Sequence, residues 1–402
     1  MNVPQTHRPL EAVIVGAGIA GMSTAIALSL SGHRVRVIER VPGMGEVGAG
    51  LQVSANAGHV YAALGMGEAL KDRSVPPDRW VVRLGTTGEY LTTFDLGKPH
   101  LEKHGFPCCN IHRADLQAVL LNRLAEVAPD ALRLGCAAES YREDRDGVTL
   151  RLAGGEELRG DLLIAADGVH SVIRRQILGP DRAEFSGNVA WRSIIPADLL
   201  PGDFMPADHV AWVGPGRHFV MYWLRRRELM NIVAVVEGEM DIEESWTVRA
   251  DWREFKADFA GWHPDIQTAI DATDRENCYR WALNIRQPSF NWRSERAVLI
   301  GDAAHPMLPY LAQGAAAAVE DAAILTRVLA EGEDVTASLE RFQKTRAPRA
   351  ARVVESANRM RRINHMHDEA ELRATIEKSA DLFAERDEWL YNYNPMTAPL
   401  AH

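Results

Sequence analysis

Cysteine is scarce in this chain: four residues, at 108, 109, 136 and 278, among 402. Their spacing matches neither a metal-ligand pattern nor a disulfide framework. A zinc module and a stapled secreted domain are therefore excluded, no metal site is expected, and the thiols fit a reducing cytoplasm. Long apolar runs are missing too. No stretch approaches the roughly 18 apolar residues of a membrane span. The segment Met1–Leu10 has two prolines where a signal sequence would carry an apolar stretch. Positive charge is in deficit: 45 Lys and Arg against 55 Asp and Glu give −10. That balance argues against nucleic acid as the main partner. There is no internal repeat and no low-complexity tail. A cytoplasmic monomer or homodimer, bound to neither membrane nor nucleic acid, is expected.

What is present is an ordinary globular composition, 46% hydrophobic and 25% charged. The length suggests two or three structural units. Glu11–Val15 (EAVIV) is a short apolar run that stops at glycine, as a buried parallel strand does. Gly21–Leu30 follows as a helix and Arg34–Glu39 (RVRVIE) as a second strand, the size of one βαβ unit. Helical patterning resumes at Gly58–Lys71 and from His112 to Val127. Trp80–Leu84 and Glu89–Phe94 read as a hairpin. Asp161–Ala165 and Ala297–Ile300 are further buried strands.

Between Val189 and Val236 four strands follow one another without intervening helices, at 189–195, 209–213, 218–224 and 230–236. An antiparallel-looking sheet is thus set into an α/β chain. Beyond Gln313 the chain is mostly helical to about Ala384. The expected fold is α/β: a Rossmann-like nucleotide-binding domain, an inserted mixed β-sheet domain and a helical C-terminal region. The expected divisions are 1–80, 108–188 and 280–335 for the first, 81–107 and 189–279 for the second, and 336–402 for the third.

Gly16-Ala-Gly18-Ile-Ala20-Gly21 lies directly after a strand and opens a helix, the context a dinucleotide fingerprint requires. Gly16 permits the tight turn, Gly18 lets a pyrophosphate approach, and Gly21 lets helix and strand pack. The helix N-terminus offers N–H groups to the phosphates. Glu39 ends the next strand, 18 residues after Gly21, where a carboxylate meets ribose hydroxyls. Asp167-Gly168 and Gly301-Asp302 each follow a buried strand. A carboxylate at such an end either caps a helix or accepts from a polyol, which FAD has in its ribityl chain and NAD lacks. There is no second GxGxxG for a nicotinamide cofactor. Gly43, Gly45, Gly48 and Gly50 suit close backbone approach to a ligand.

These motifs, GAGIAG at 16–21, ADGVHSVIR at 166–174 and GDAAHPMLPYLAQGA at 301–315, resemble those of the single-component FAD-dependent aromatic hydroxylases of para-hydroxybenzoate hydroxylase type. The similarity runs from Ala12 to Asn394. Gly48–Ser54, His112–Leu116, Met307–Tyr310 and Trp389–Tyr391 are most similar to the salicylate hydroxylase branch. The resemblance implies that Gly16, Gly18, Ala20, Gly21, Glu39 and Arg40 hold the ADP half of FAD. It assigns Gly50, Leu51 and Arg113 to the flavin side. It places Asp167 at the pyrophosphate and nicotinamide approach and Asp302 at the ribityl. Gly314 and Ala315 would turn a helix N-terminus toward the pyrimidine edge of the flavin, where charge develops on reduction. NADH or NADPH would visit transiently, with O2 and an aromatic acid as the other reactants.

The strand His218–Leu224 has period two, so His218, Val220, Tyr222 and Leu224 share one face. A hydrogen-bonded sheet histidine and a packed tyrosine are the bland alternative. In related hydroxylases this pair lines the substrate site. His218 is then the candidate to bind or deprotonate a phenol, with Tyr222 beside it. Tyr310 and Arg192 are candidate substrate contacts, and Arg83 a further carboxylate anchor or a structural arginine. His305 before Pro306 reads as structural. The basic run Lys344 to Arg362 reads as a solvated or subunit-contact face.

The expected reaction is hydroxylation of a phenolic aromatic acid, with salicylate to catechol and loss of CO2 leading. The 3-hydroxybenzoate 6-hydroxylase and 6-hydroxynicotinate 3-monooxygenase activities stand as alternatives. Pro309 departs from the polar residue of the first group, and Gln52 and Tyr310 from the histidines of the second. A hydroxylase of a larger biosynthetic phenol and a non-catalytic flavin-binding protein are the other readings.

Overall fold

A computed structural model describes residues 3–6, 8–45, 49–180, 182–206, 208–239, 248–332, 334–378 and 387–402. Gly48 and the end of the expected C-terminal helix, 379–384, lie outside them.

Five parallel strands form the first sheet, in the order 297–299, 162–165, 11–15, 34–38, 132–133. Its central strands are buried on both faces, which is why they read as unbroken apolar runs. Helices Ile19–Ser31, Arg113–Val127 and Gly314–Ala330 share the core of this sheet. Three strands, Ala138–Asp144, Gly147–Leu152 and Glu157–Gly160, form an antiparallel layer alongside.

The second large sheet has seven strands, in the order 279–285, 184–196, 229–237, 217–224, 209–214, 79–84, 90–95. It is antiparallel except where His209–Gly214 pairs parallel with Arg79–Leu84. Its far face buries Trp191, Trp212, Phe219, Met221, Trp223 and Ile232 against Phe255, Phe259 and Ile266 of helices Trp252–Asp258 and Pro264–Asp271. The alternate residues, including Arg192, His218 and Tyr222, therefore point to the other face, as period two requires.

Several elements differ in detail from expectation. The first helix starts at Ile19, two residues early. The helix expected at 58–71 is two helices, Ala55–Ala63 and Gly67–Arg73, separated by Gly65 at φ 80°. Cys109 opens the strand Cys109–His112 and Cys108 precedes it; both are buried free thiols.

The basic run is the main correction. Arg346 is fully buried and binds Glu320 Oε2 at 2.6 Å and Asp321 Oδ1 at 2.8 Å. Arg349 binds Glu320 Oε1 at 2.7 Å and stacks on Tyr393. This helix, Val335–Asn364, thus presents part of its charge inward, because helix Gly314–Ala330 carries two buried acids that need partners. No described helix is long and apolar enough to cross a membrane.

Candidate active site

The glycine turn lies at the carboxyl end of Glu11–Val15. A Cβ on Gly16 would lie 2.3 Å from the Ala166 carbonyl oxygen, and one on Gly21 would lie 1.9 Å from that of Gly16. Both glycines are required by packing. A Cβ on Gly18 would meet nothing within 4 Å, so this position borders open space. Glu39 Oε2 accepts from the Ala17 amide at 2.8 Å and Oε1 from Val41 at 3.0 Å, which closes the turn. Ala20 packs under Gly301, and Arg40 is exposed at the rim.

Asp167 partly caps the next helix: Oδ2 accepts from Val172 N at 3.0 Å, while buried Oδ1 has no partner. Asp302 is exposed to water yet lies deep in the molecule. Burial raises its carboxyl, with His305 and Arg113 pulling the other way. That combination describes the wall of an internal cleft. Gly314 and Ala315 begin helix Gly314–Ala330, with Ala312 and Gln313 between it and the turn Pro309–Leu311 that carries Tyr310. The open edge at Gly18, the orphaned oxygen of Asp167 and the cleft carboxylate of Asp302 fit the phosphates and polyol of FAD. Arg113, which opens helix Arg113–Val127, has the charge for its phosphates.

The substrate-side candidates gather on one face of the seven-stranded sheet. Arg192 pairs with Val233, and Val233 with Val220, between the rows of His218 and Tyr222. Its guanidinium lies 4.8 Å from the Trp281 ring centroid, and its Nε has no partner. Burial lowers its pKa to about 10, with Tyr222 favouring the charge and Arg113 opposing it. It remains a cation at neutral pH, and among the described residues no carboxylate pairs with it. Tyr222 stacks on His209 at 4.7 Å, and His209 is hydrogen-bonded to Gln52 at 2.8 Å. Burial pushes Tyr222 up and His209 down to about 3.

Gly50 meets this group directly. Its amide donates to Asn231 Oδ1 at 2.7 Å, and a Cβ would lie 2.5 Å from the Tyr222 ring. Leu51 continues the strand Gly50–Val53, which pairs with Cys109–His112. His218 is buried, which drives its imidazole well below its ordinary value, with His365 adding to the effect. Its ring lies 5.2 Å from that of Tyr310 and 5.1 Å from that of His365.

Arg83 is not part of this group. It points to the opposite face, lies over Trp212 and Tyr90, and donates to the Gly88 carbonyl at 2.8 Å. The hollow beside it, bounded by Asp208, Met205 and Met221, is also on that far face. His305 binds Asp321 Oδ2 at 2.6 Å and is structural, as expected. Residues missed in the sequence are Asn231, His209, Trp281 and His365. The first three are legible in hindsight from strand alternation; His365 follows a helix and carries no local signal.

The parallel sheet and the glycine turn define a dinucleotide-binding fold that carries a second, seven-stranded sheet. Residues 9–357 match the family model described as FAD binding domain, and the chain belongs to that family. It is 36% identical over 349 residues to the 3-amino-4-hydroxybenzoate 2-monooxygenase PtnB3 of Streptomyces platensis, covering 87% of this chain and 86% of the relative. The crystal structure of Klebsiella pneumoniae HpxO complexed with FAD and uric acid superposes with TM-score 0.84 at 29% identity, covering 96% of this chain and 98% of that one. A salicylate hydroxylase substrate complex gives TM-score 0.82 at 26% identity, covering 96% of each. The protein is an FAD-dependent aromatic monooxygenase.

Proposed function

We propose that the protein hydroxylates a phenolic monocyclic aromatic acid, with NADH or NADPH as reductant, and that salicylate is the first substrate to test. The carrying observation is Arg192: a half-buried cation that has no carboxylate partner among the described residues, on the same sheet face as His218. A guanidinium drawn part-way out of water is costly unless an anion joins it. A substrate carboxylate supplies that anion and fixes the ring by a two-pronged contact. His218 takes the proton of the ring hydroxyl, and Tyr222 and Tyr310 bound the ring. FAD supplies the redox chemistry when bound, accepting hydride from the nicotinamide and passing one oxygen atom of O2 to the ring. Gly16, Gly18, Gly21, Arg113, Asp167 and Asp302 hold it, with residues 81–107 and 189–279 as the substrate domain. The apolar face around Val233, Val235 and Trp281 excludes water.

The test is aerobic NADH oxidation by the FAD-loaded protein with salicylate, the product being identified by mass. One catechol and one CO2 per NADH is the expected result. A dihydroxybenzoate from 3-hydroxybenzoate, with salicylate inert, replaces salicylate but keeps the class. No hydroxylated product from any hydroxybenzoate or hydroxynicotinate overturns the acid-binding reading.

A further inference from the structure

The strand bearing His218 meets the end of the C-terminal helix at a cluster of three buried groups: His218, His365 and Tyr310. His365 Nδ1 lies 3.1 Å from the Gly216 carbonyl oxygen, and Asn188 Nδ2, a donor, lies 3.3 Å from the same nitrogen. The carbonyl only accepts and is the nearer group, so Nδ1 carries the hydrogen and the Asn188 approach is a contact rather than a hydrogen bond. The Nε2 of neutral His365 is then a bare acceptor. Burial lowers His365 to about 4, which keeps it neutral. His218 Nδ1 lies 3.1 Å from that Nε2, and the Tyr310 hydroxyl 3.3 Å. Two nitrogens at this distance need one hydrogen between them, and His365 has none to give there. His218 Nδ1 therefore holds it, and the lone pair of His218 falls on Nε2. No protein group among the described residues is hydrogen-bonded to that Nε2.

We infer that His365 is a positioning residue: it fixes the tautomer of His218 so that Nε2 faces the substrate hydroxyl as a base. This rests on the reading of His218 given above. A protonated His365 opposes charge on His218, but neutral His365 accepts the Nδ1–H bond of the imidazolium formed when His218 takes the phenolic proton. No covalent bond to carbon changes; one proton passes from substrate oxygen to His218 Nε2. Burial opposes that charge, so an acceptor on the far side of the ring matters more than it would in water. The charged and titratable groups facing the cluster are Arg361 and His367 from the C-terminal region, Glu237 from the sheet and Tyr310 from the turn. Arg361 and His367 disfavour added positive charge, and His365 must act against them.

The experiment compares kcat/KM against pH for the FAD-loaded wild type and the variants His365→Ala, His365→Leu, His365→Gln and His218→Ala. The substrate is whichever acid the wild type hydroxylates. Leucine fills the space if alanine fails to fold, and glutamine restores an acceptor. A general base contributes on the order of 10²–10⁴-fold. Alanine and leucine variants are expected to lose roughly 10–100-fold at pH 7, a part of that range, and to recover as pH rises toward the ionisation of the phenol itself. FAD content and KM stay near wild type, and the glutamine variant regains most of the loss. Alanine and leucine profiles that superpose on wild type overturn the inference, whatever the thermal stability does. A His218→Ala profile that superposes instead overturns the base reading beneath it.

Discussion

Arg192 carries its charge among an aromatic ring, a neutral phenol and a second arginine, none of which supplies a counter-charge. Arg192→Met removes the cation while keeping much of the side-chain volume. The expected result is at least a tenfold loss of kcat/KM for an aromatic acid, carried mainly by KM, since a hydrogen bond to a charged group contributes about 1.5–3 kcal/mol. The corresponding phenol without a carboxylate should lose little. Steady-state kinetics on both compounds decides it: equal losses would mean that Arg192 does not bind the carboxylate. His218, Tyr222 and Arg192 were legible in the sequence because each lies on a strand, where alternation assigns a face. His365 was not. It reaches His218 across 147 positions of chain, and only the packing of a helix end against the sheet brings the two together.

Helix Gly314–Ala330 is held by charge as well as by small residues. Glu320 accepts from Asn56 Nδ2 at 2.6 Å and from both Arg346 and Arg349. Asp321 accepts from the Gly301 amide at 2.9 Å and from His305. Burial alone would raise both carboxyls, but Arg349 and Arg346 hold Glu320 low, and His305 and Arg346 hold Asp321 low. Depressed carboxylates stabilise the fold above their unfolded value of about 4, and that contribution is lost as pH falls through their lower folded values. Arg346→Met leaves Glu320 to Arg349 and Asn56 and Asp321 to His305 and the Gly301 amide, each short of one cation, and a broken buried pair costs about 3–5 kcal/mol. Thermal unfolding followed by flavin fluorescence should show a large drop at pH 7 that narrows below about pH 4, where the acids protonate. A drop that does not change with pH would assign the loss to packing alone. The helical spacing beyond Gln313 was legible in the sequence. The inward pairing of the basic run was hidden, because basic spacing on a long helix is equally that of a wet face.

At the scale of the molecule, the seven-stranded sheet packs against a small third sheet made of Gly50–Val53, Cys109–His112 and Ser74–Val75, and Gly50 is one point of contact. Gly50 has no side chain because Tyr222 and Asn231 occupy that space. Gly50→Ala forces the tyrosine ring away from its stack on His209, an overpacking that costs about 1–3 kcal/mol. FAD content should stay close to wild type, while KM for the aromatic acid rises several-fold. Flavin absorbance and kinetics read the two effects separately, and an unchanged KM would show that the ring position is unimportant. The fold class was legible because strand runs, glycine turns and helical spacing are local properties. The face-to-face meeting of Gly50 with Tyr222 was not, since a glycine required by a distant ring resembles one required by a turn or a ligand.

The long helix continues to Asn364 before turning into His365, and the last described residues fold back onto it and onto helix Gly314–Ala330. Arg327 donates to the Pro395 and Ala398 carbonyls, Arg349 to those of Trp389 and Leu390, and Arg341 to that of Ala401. This last stretch is thus buttoned by arginines on the two helices that also hold the Glu320–Asp321 cluster. A tail exchanged between two such proteins would keep its seat only where those arginines travel with it.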